Sequence, residues 1–143
     1  MSNALFCYGT LQSSLVMKAV TGCEFISIPA ELHSYTMFRV RGTDYPGIIP
    51  KKGVIVRGIL YDDITDEVLR TLDRFEGDHY FRNEVTVFRS DGRAVETFAY
   101  CIREDQKGIL SEEAWDFGTF LDAGIEQFMR GFVEERRNIF GEN

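Results

Sequence analysis

The spacing of the apolar residues changes from strand-like to helical in the middle of the chain, and this change restricts the fold more than any other feature. Residues 54–61 (Val-Ile-Val-Arg-Gly-Ile-Leu-Tyr) are an apolar, β-branched run that predicts a strand. The next segment carries four apolar residues at helical spacing: Val68, Leu69, Leu72 and Phe75. Thr65 or Asp66 would cap this amphipathic helix, and Gly77 would end it.

Strand patterns recur through most of the first hundred residues. Four more regions are apolar or rich in β-forming residues: residues 4–8, 25–41, 80–89 and 95–102. We expect residues 25–41 to hold two strands, and Asp91-Gly92 to form a hairpin turn between the last two regions. Residues 43–53 contain two of the three prolines and two glycines, which predicts a structured loop.

Two more helices are predicted, one near each end of the chain. Ser13 or Ser14 would cap a short helix over residues 15–20, with Gly22 just past its end. Residues 111–137 form a long helix with a stripe of six apolar residues: Trp115, Leu121, Ile125, Phe128, Met129 and Phe132. Because three glycines weaken this helix, we expect the stripe to pack against the strands or against a second copy of the chain, in a homodimer.

These elements predict a single α+β domain over residues 1–143, with about six strands, many of them antiparallel. The net charge of −7 disfavours binding to nucleic acid, and no run is long and apolar enough to cross a membrane. The N-terminus lacks the basic segment of a signal peptide, so we expect a cytoplasmic protein. Three cysteines without CxxC spacing argue against a disulfide framework and against a zinc site.

The segment Tyr8-Gly9-Thr10-Leu11-Gln12 leads from a predicted strand into the start of a helix. Backbone N–H groups at such a junction have no acceptor within the helix, and the helix dipole adds partial positive charge there. Gly9 has no side chain that would block a ligand. The segment therefore suits a carboxylate or an oxyanion, although a plain strand-to-helix turn accounts for the same residues.

Glu76 comes just before the expected helix end at Gly77, where the helix dipole disfavours a carboxylate. Its aromatic neighbours in the sequence would also keep water away, and both effects raise the pKa of a carboxyl group. An acid whose pKa is raised towards neutrality can accept and return a proton, as general acid–base catalysis requires. The alternative is a solvated glutamate at a helix end, paired with Arg74 or Arg82.

The remaining candidate residues are less specific. Arg82 would either bind a ligand carboxylate or serve as an ion-pair partner. Four residues resemble metal ligands, but their spacing fits no regular site: Asp73, Glu76, Asp78 and His79. Four tyrosines would either line a cleft or pack in the core: Tyr35, Tyr45, Tyr61 and Tyr100. Cys7 lies inside a predicted strand with no histidine near it in the sequence, which indicates a buried structural thiol.

Two segments together resemble the signatures of a known family. Residues 5–11 (Leu-Phe-Cys-Tyr-Gly-Thr-Leu) look like the Tyr-Gly-Ser/Thr-Leu motif of the gamma-glutamylcyclotransferase-like superfamily. Residues 72–77 (Leu-Asp-Arg-Phe-Glu-Gly), followed by Tyr80 and Arg82, look like its second motif, which carries the catalytic glutamate. The resemblance spans about residues 4–102 and is to the gamma-glutamylamine cyclotransferase or avirulence-induced-gene-like branch.

This resemblance implies a small mixed β-barrel flanked by helices, with the first motif and Glu76 facing each other across a cavity. It implies that Glu76 takes a proton from the α-amine of a γ-glutamyl substrate. The amine then attacks the γ-carbonyl, closes the ring of 5-oxoproline (pyroglutamate) and releases a free amine. The substrate-binding residues that it implies are Tyr8, Gly9, Thr10, Leu11, Tyr45, Tyr80, Arg82 and Tyr100.

No metal or cofactor is required for such an intramolecular reaction, in which the protein mainly orients the reacting groups. The resemblance leaves the leaving amine open, and it leaves one alternative of another class. A binding or regulatory module with the same fold would hold a small carboxylate-bearing ligand in the cavity and return it unchanged.

Overall fold

A computed structural model describes residues 2–131 of the chain, in which five strands close into a barrel. The strands are β1 (Ser2–Cys7), β2 (Ser27–Arg39), β3 (Pro46–Thr65), β4 (Tyr80–Arg89) and β5 (Ala94–Ile102). Their order around the barrel is β1-β3-β2-β4-β5, and neighbours are antiparallel except β1 and β5, which are parallel. The predicted α+β class with a mixed barrel is confirmed, with five strands among the described residues instead of about six.

The helices are α1 (Ser14–Thr21), α2 (Asp66–Glu76) and α3 (residues 117–131), and short 3₁₀ helices lie at Thr10–Gln12 and Glu104–Ile109. Ser13 caps α1, because its hydroxyl accepts the N–H of Val16 at 3.3 Å. Thr65 caps α2 in the same way. Gly22 ends α1 with a left-handed φ of 76°. None of the helices in the described part of the chain is long and apolar enough to cross a membrane.

Buried residues form two clusters, one on each face of the strands. The cluster inside the barrel comes mainly from the strands, and its most deeply buried members include Phe6, Leu32, Ile48, Leu60 and Val87. The outer cluster joins the other face of the strands to the helices. Because successive side chains of a strand point to opposite faces, Leu5 and Cys7 of β1 belong to the outer cluster while Phe6 belongs to the inner one. The end of β1 is therefore held from both sides.

The prediction of a structured loop at residues 43–53 was wrong, because most of this segment is strand. β3 begins at Pro46 and pairs with β2 along most of its length. Residues 25–41 accordingly hold one strand rather than two, with a bulge at Ser34, where φ is 65°. Pro46 is the first residue of its strand and Pro50 lies beside the bulge of β2, and a strand tolerates proline at both kinds of position.

The C-terminal helix begins later than predicted. The N–H and hydroxyl groups of Ser111 both bond to a carbonyl at the end of β2, each at 2.8 Å, so this segment is tied to the barrel in an extended form. α3 starts after Asp116, whose carboxylate accepts the N–H of Thr119 at 2.8 Å. It includes a π-helical turn at Phe120–Gly124 and continues to residue 131. Phe132 and the predicted end of the helix lie outside the described residues.

The apolar stripe of this C-terminal segment packs against the chain itself. Trp115 is buried, and its indole N–H donates to a backbone carbonyl in the β2–β3 turn at 2.7 Å. The ring of Phe128 lies edge-on to that of Phe75 in α2, with centroids 6.3 Å apart. The prediction was wrong for Leu121, which is 43% exposed, while Phe120 is buried. The π-helical turn at Phe120–Gly124 interrupts the regular helical spacing from which the stripe was predicted.

Candidate active site

A cavity of about 1110 Å³ lies where the end of the barrel meets the three helices. Its wall contains every predicted site residue except Arg82: Tyr8, Gly9, Thr10, Leu11, Tyr45, Glu76, Tyr80 and Tyr100. As predicted, the loop after β1 and the end of α2 border the same cavity. Strand pairing is what brings them together, because β1 pairs with the part of β3 that leads directly into α2.

The loop after β1 is fixed by hydrogen bonds at its far end. The hydroxyl of Tyr61 donates to the carbonyl of Leu11 at 2.7 Å. Within the loop, the N–H of Gln12 donates to the carbonyl of Gly9 at 3.1 Å and closes a 3₁₀ turn. The N–H groups of Thr10 and Leu11 belong to the first residues of this turn, which have no acceptor within a helix. They are the groups available to a ligand carboxylate or oxyanion.

Glu76 is the last residue of α2, and Gly77 with a φ of 80° ends the helix, as predicted. Burial raises the pKa of Glu76 to about 8, and the negative charge of Asp73 contributes to the same shift. The residue remains partly accessible, because it lines the cavity. Within residues 2–131, no hydrogen bond or ion pair holds its carboxyl group. This acid is therefore free to exchange a proton with a molecule in the cavity.

Of the two roles that the sequence allowed for Arg82, ligand binding and ion pairing, the structure shows an ion pair, with Asp73. The guanidinium Nε lies 2.9 Å from Asp73 Oδ1, and its Nη2 lies 3.3 Å from Oδ2. The same guanidinium stacks over the ring of Phe98, 4.6 Å from its centroid. The structure therefore pairs Arg82 with a helix carboxylate and does not bring it to the cavity wall, and the alternative pairing of Arg82 with Glu76 is not formed.

Three tyrosines of the cavity wall donate their hydroxyl protons to fixed acceptors. Tyr8 donates to the carbonyl of Tyr100 at 2.6 Å, Tyr80 to the carbonyl of Pro46 at 2.8 Å, and Tyr100 to Asp73 Oδ1 at 2.7 Å. Burial raises the pKa of all three hydroxyl groups well above the ordinary value of 10. They are neutral at physiological pH and hold the walls of the cavity in a defined shape.

Several wall residues were not predicted from the sequence. α3 contributes Gln127 and Phe128, α1 contributes Lys18, and Pro46 and His79 also line the cavity. The helical stripe did identify Phe128 as an inward-facing residue, but as a packing residue only. No local pattern places α1 or α3 beside α2, because these helices are distant in the sequence and only the folded barrel brings them together.

A smaller cavity of about 690 Å³ adjoins the first and shares Tyr45, Gln127 and Phe128 with it. Its wall contains both acidic and basic side chains: Arg39, Arg41, Asp44 and Glu113. In the described part of the chain, no group of three or more histidine, cysteine, aspartate or glutamate residues is arranged to hold a metal ion.

The sequence model of the family described as "Gamma-glutamyl cyclotransferase, AIG2-like" matches residues 5–117. The chain belongs to this family. The matched region starts in β1, contains the loop after it and Glu76, and ends at the first residue of α3. The resemblance of the two sequence motifs is thus confirmed at the level of the family.

Relatives of this chain in the gamma-glutamyl cyclotransferase, AIG2-like family include plant proteins. Protein AIG2 A of Arabidopsis thaliana is 30% identical over 146 residues, which cover 98% of this chain and 84% of that protein. The solution structure of an Arabidopsis thaliana protein superposes with a TM-score of 0.72 at 25% identity, covering 96% of this chain and 83% of that one. A structure described as a gamma-glutamyl cyclotransferase superposes with a TM-score of 0.64 at 19% identity, covering 72% and 68% of the two chains, and shows that the fold is shared.

Proposed function

We propose that the protein is a gamma-glutamyl cyclotransferase that converts a γ-glutamyl amine or γ-glutamyl peptide into 5-oxoproline and a free amine. Glu76 acts as the general acid and base, and the loop after β1 binds the glutamyl end of the substrate. The observation that carries this proposal is the carboxyl group of Glu76, which has a raised pKa and no hydrogen-bond partner among the described residues, in a cavity that it shares with that loop.

The pKa of Glu76 suits a proton transfer with an α-amine. A free α-amine has a pKa of about 8, and burial raises the pKa of Glu76 to about 8 as well. Two groups of matched pKa exchange a proton at little cost in free energy, so the carboxylate can remove the proton that prevents the amine from attacking. A solvated glutamate, with a pKa of about 4.3, would be a far weaker base.

Glu76 alone can carry out the proton transfers that the reaction requires. The carboxylate takes one proton from the α-ammonium, and the neutral amine attacks the γ-carbonyl carbon to form the ring C–N bond. Glu76 gives this proton to the leaving nitrogen and then takes a second proton from the ring nitrogen after the attack. Both are delivered in turn to the leaving nitrogen as its C–N bond breaks, so the product amine departs as an ammonium ion. The ring nitrogen keeps its third hydrogen, and Glu76 returns to its starting state.

The rest of the cavity supplies orientation. The N–H groups of Thr10 and Leu11 would hold the α-carboxylate or the developing oxyanion, and Gly9 leaves room for that approach. The wall tyrosines Tyr8, Tyr80 and Tyr100, together with Tyr45, would enclose the glutamyl arm. Folding this arm into an attacking geometry is the main requirement of an intramolecular reaction. The leaving amine would extend towards the open part of the cavity, where the reaction requires no specific contact with it.

A direct test is to incubate the protein with a panel of γ-glutamyl amines, amino acids and dipeptides and to detect pyroglutamate by mass spectrometry. The Glu76→Gln variant keeps the shape of the side chain but cannot act as a base, so we expect turnover to fall by roughly a hundredfold to ten-thousandfold. The Glu84→Gln variant, an exposed position on β4, is the matched control and should retain the wild-type rate.

Two results would contradict the proposal. A folded Glu76→Gln variant with the wild-type rate would show that Glu76 is not the catalytic base. Binding of γ-glutamyl compounds without any pyroglutamate, measured by calorimetry on the same panel, would favour the alternative of a binding or regulatory module that uses the same cavity.

A further inference from the structure

Asp73, on the same helix as Glu76, is held by hydrogen bonds from two side chains. It lies three residues before Glu76 in α2, so the two side chains are neighbours on one face of the helix. Its Oδ1 accepts the hydroxyl proton of Tyr100 at 2.7 Å and the Nε–H of Arg82 at 2.9 Å. Its carbonyl accepts the N–H of Gly77 at 3.2 Å, which ends the helix immediately after Glu76.

The two side-chain partners of Asp73 lie opposite each other on the neighbouring strands β4 and β5. Tyr100 on β5 lines the cavity, and its carbonyl accepts the hydroxyl proton of Tyr8. Arg82 on β4 lies away from the cavity wall, against the ring of Phe98. A carboxylate that accepts charge-assisted hydrogen bonds from a guanidinium forms a strong ion pair with it. One fixed negative charge thus lies beside Glu76, and its positive counterion is not among the residues that line the cavity.

The other groups around Glu76 can be compared with Asp73. The titratable groups that face it from β1 and the following loop, β4 and β5 are uncharged at neutral pH, because burial raises the pKa of each: Cys7, Tyr8, Tyr80 and Tyr100. Tyr45 before β3 and three basic or imidazole side chains also line the cavity: Lys18, Arg74 and His79. Lys18 is exposed, and its Nζ lies 3.4 Å from Oε1 of Glu24. Of the acidic side chains, Asp73 alone contributes to the charge environment of Glu76 among the described residues.

We propose that Asp73 is a positioning residue that acts on Glu76 through its negative charge, and that Arg82 is the counterion that limits this action instead of a substrate-binding group. The charge of Asp73 favours the protonated form of Glu76 before substrate binds. When the α-ammonium of a substrate enters, it offsets this repulsion and makes the proton transfer possible. This catalytic consequence rests on the proposed function, but the coupling between the two carboxyl groups does not.

The coupling can be measured in the substrate-free protein. Glutamate labelled with ¹³C at its carboxyl carbon gives a resonance for Glu76, assigned by its loss in Glu76→Gln, whose titration reports the protonation midpoint. Asp73→Asn removes the negative charge and leaves Arg82 without a counterion, so the midpoint should fall. Arg82→Gln removes the counterion and should raise it. Because the side chain of Asp73 is 40% exposed and water screens the interaction, we expect shifts of about half a pH unit to one unit.

The order of the midpoints is the decisive result. We expect Asp73→Asn to be lowest, then the double variant Asp73→Asn/Arg82→Gln, then the wild type, then Arg82→Gln. A purely structural role would not move the two single variants in opposite directions. Glu67→Gln, in the same helix but about 13 Å away along its axis, is the matched control and should not shift the midpoint, since that distance exceeds a Debye length of about 8 Å.

Unchanged midpoints, or shifts of the same sign in both single variants, would overturn the proposal. If Asp73→Asn does not fold, the comparison of Arg82→Gln with Arg82→Lys tests the coupling instead. Lysine keeps the positive charge, so Arg82→Lys should bring the protonation midpoint of Glu76 back towards that of the wild type. The pH profile of turnover is a separate measurement. Shifted midpoints without turnover on any substrate would contradict the proposed function and leave the coupling established. Turnover with unshifted midpoints would support the proposed function and overturn the coupling.

Discussion

The ionisation of Glu76 should make the stability of the protein depend on pH in a way that one substitution removes. Burial and Asp73 raise the pKa of Glu76 from 4.5 to about 8 in the folded protein. Between these two pH values the folded state binds more protons than the unfolded state. The free energy of unfolding therefore falls as the pH rises, and the loss is complete only above pH 8.

The size of this effect follows from the shift. Each pH unit in this window changes the free energy of unfolding by at most about 1.4 kcal/mol. At pH 7 the penalty is thus at most about 3.4 kcal/mol, and because Glu76 is partly accessible to water in the cavity, we expect about 1–3 kcal/mol. Glutamine is neutral at every pH. The Glu76→Gln variant should therefore match the wild type near pH 4 and be more stable than it at pH 7 by that amount.

Urea unfolding at pH 4 to 8 measures this difference, with the fluorescence of Trp115, the only tryptophan and a buried one, as the probe. The exposed control Glu84→Gln should change the free energy of unfolding by less than about 0.5 kcal/mol. A Glu76→Gln advantage that stays constant with pH, or that grows towards acid, would refute the raised pKa. It would also remove the electrostatic argument for Glu76 as the base.

Three further outcomes are expected. In the pyroglutamate assay, kcat/KM should rise with pH up to about 8, because Glu76 must lose its proton before it can accept one; a rate that is already maximal at pH 5 would contradict this. Gly58→Ala should lower the melting temperature strongly, since the added methyl carbon would lie 2.3 Å from the carbonyl oxygen of Cys7 on β1, and overpacking of this kind costs about 1–3 kcal/mol or more; an unchanged melting temperature would show that the strands separate easily. Trp115→Ala should destabilise the protein by about 3–5 kcal/mol, whereas Leu121→Ala, at a position 43% exposed, should cost less than about 1 kcal/mol; equal losses would mean that the packing of α3 is not as described.

Local sequence determined the features that depend on neighbouring residues. The caps at Ser13 and Thr65 and the glycine stops at Gly22 and Gly77 could be predicted because capping is satisfied within one helical turn. The place of Glu76 at the end of α2 follows from the same signals. The family resemblance also rests on two motifs, each of which is only a few residues long and can be identified without the fold.

The tertiary structure decided what depends on partners distant in the sequence. Prolines at residues 46 and 50 indicate a loop by local preference, yet pairing with β2 makes a strand of the segment. The partner of Arg82 was open because Asp73 and Arg82 meet only where α2 lies beside β4. The position of Glu76 predicted the direction of its pKa shift, but the size of the shift depends on burial in the folded chain. Desolvation and ion pairing are properties of the space around a group, and closure of the barrel determines that space.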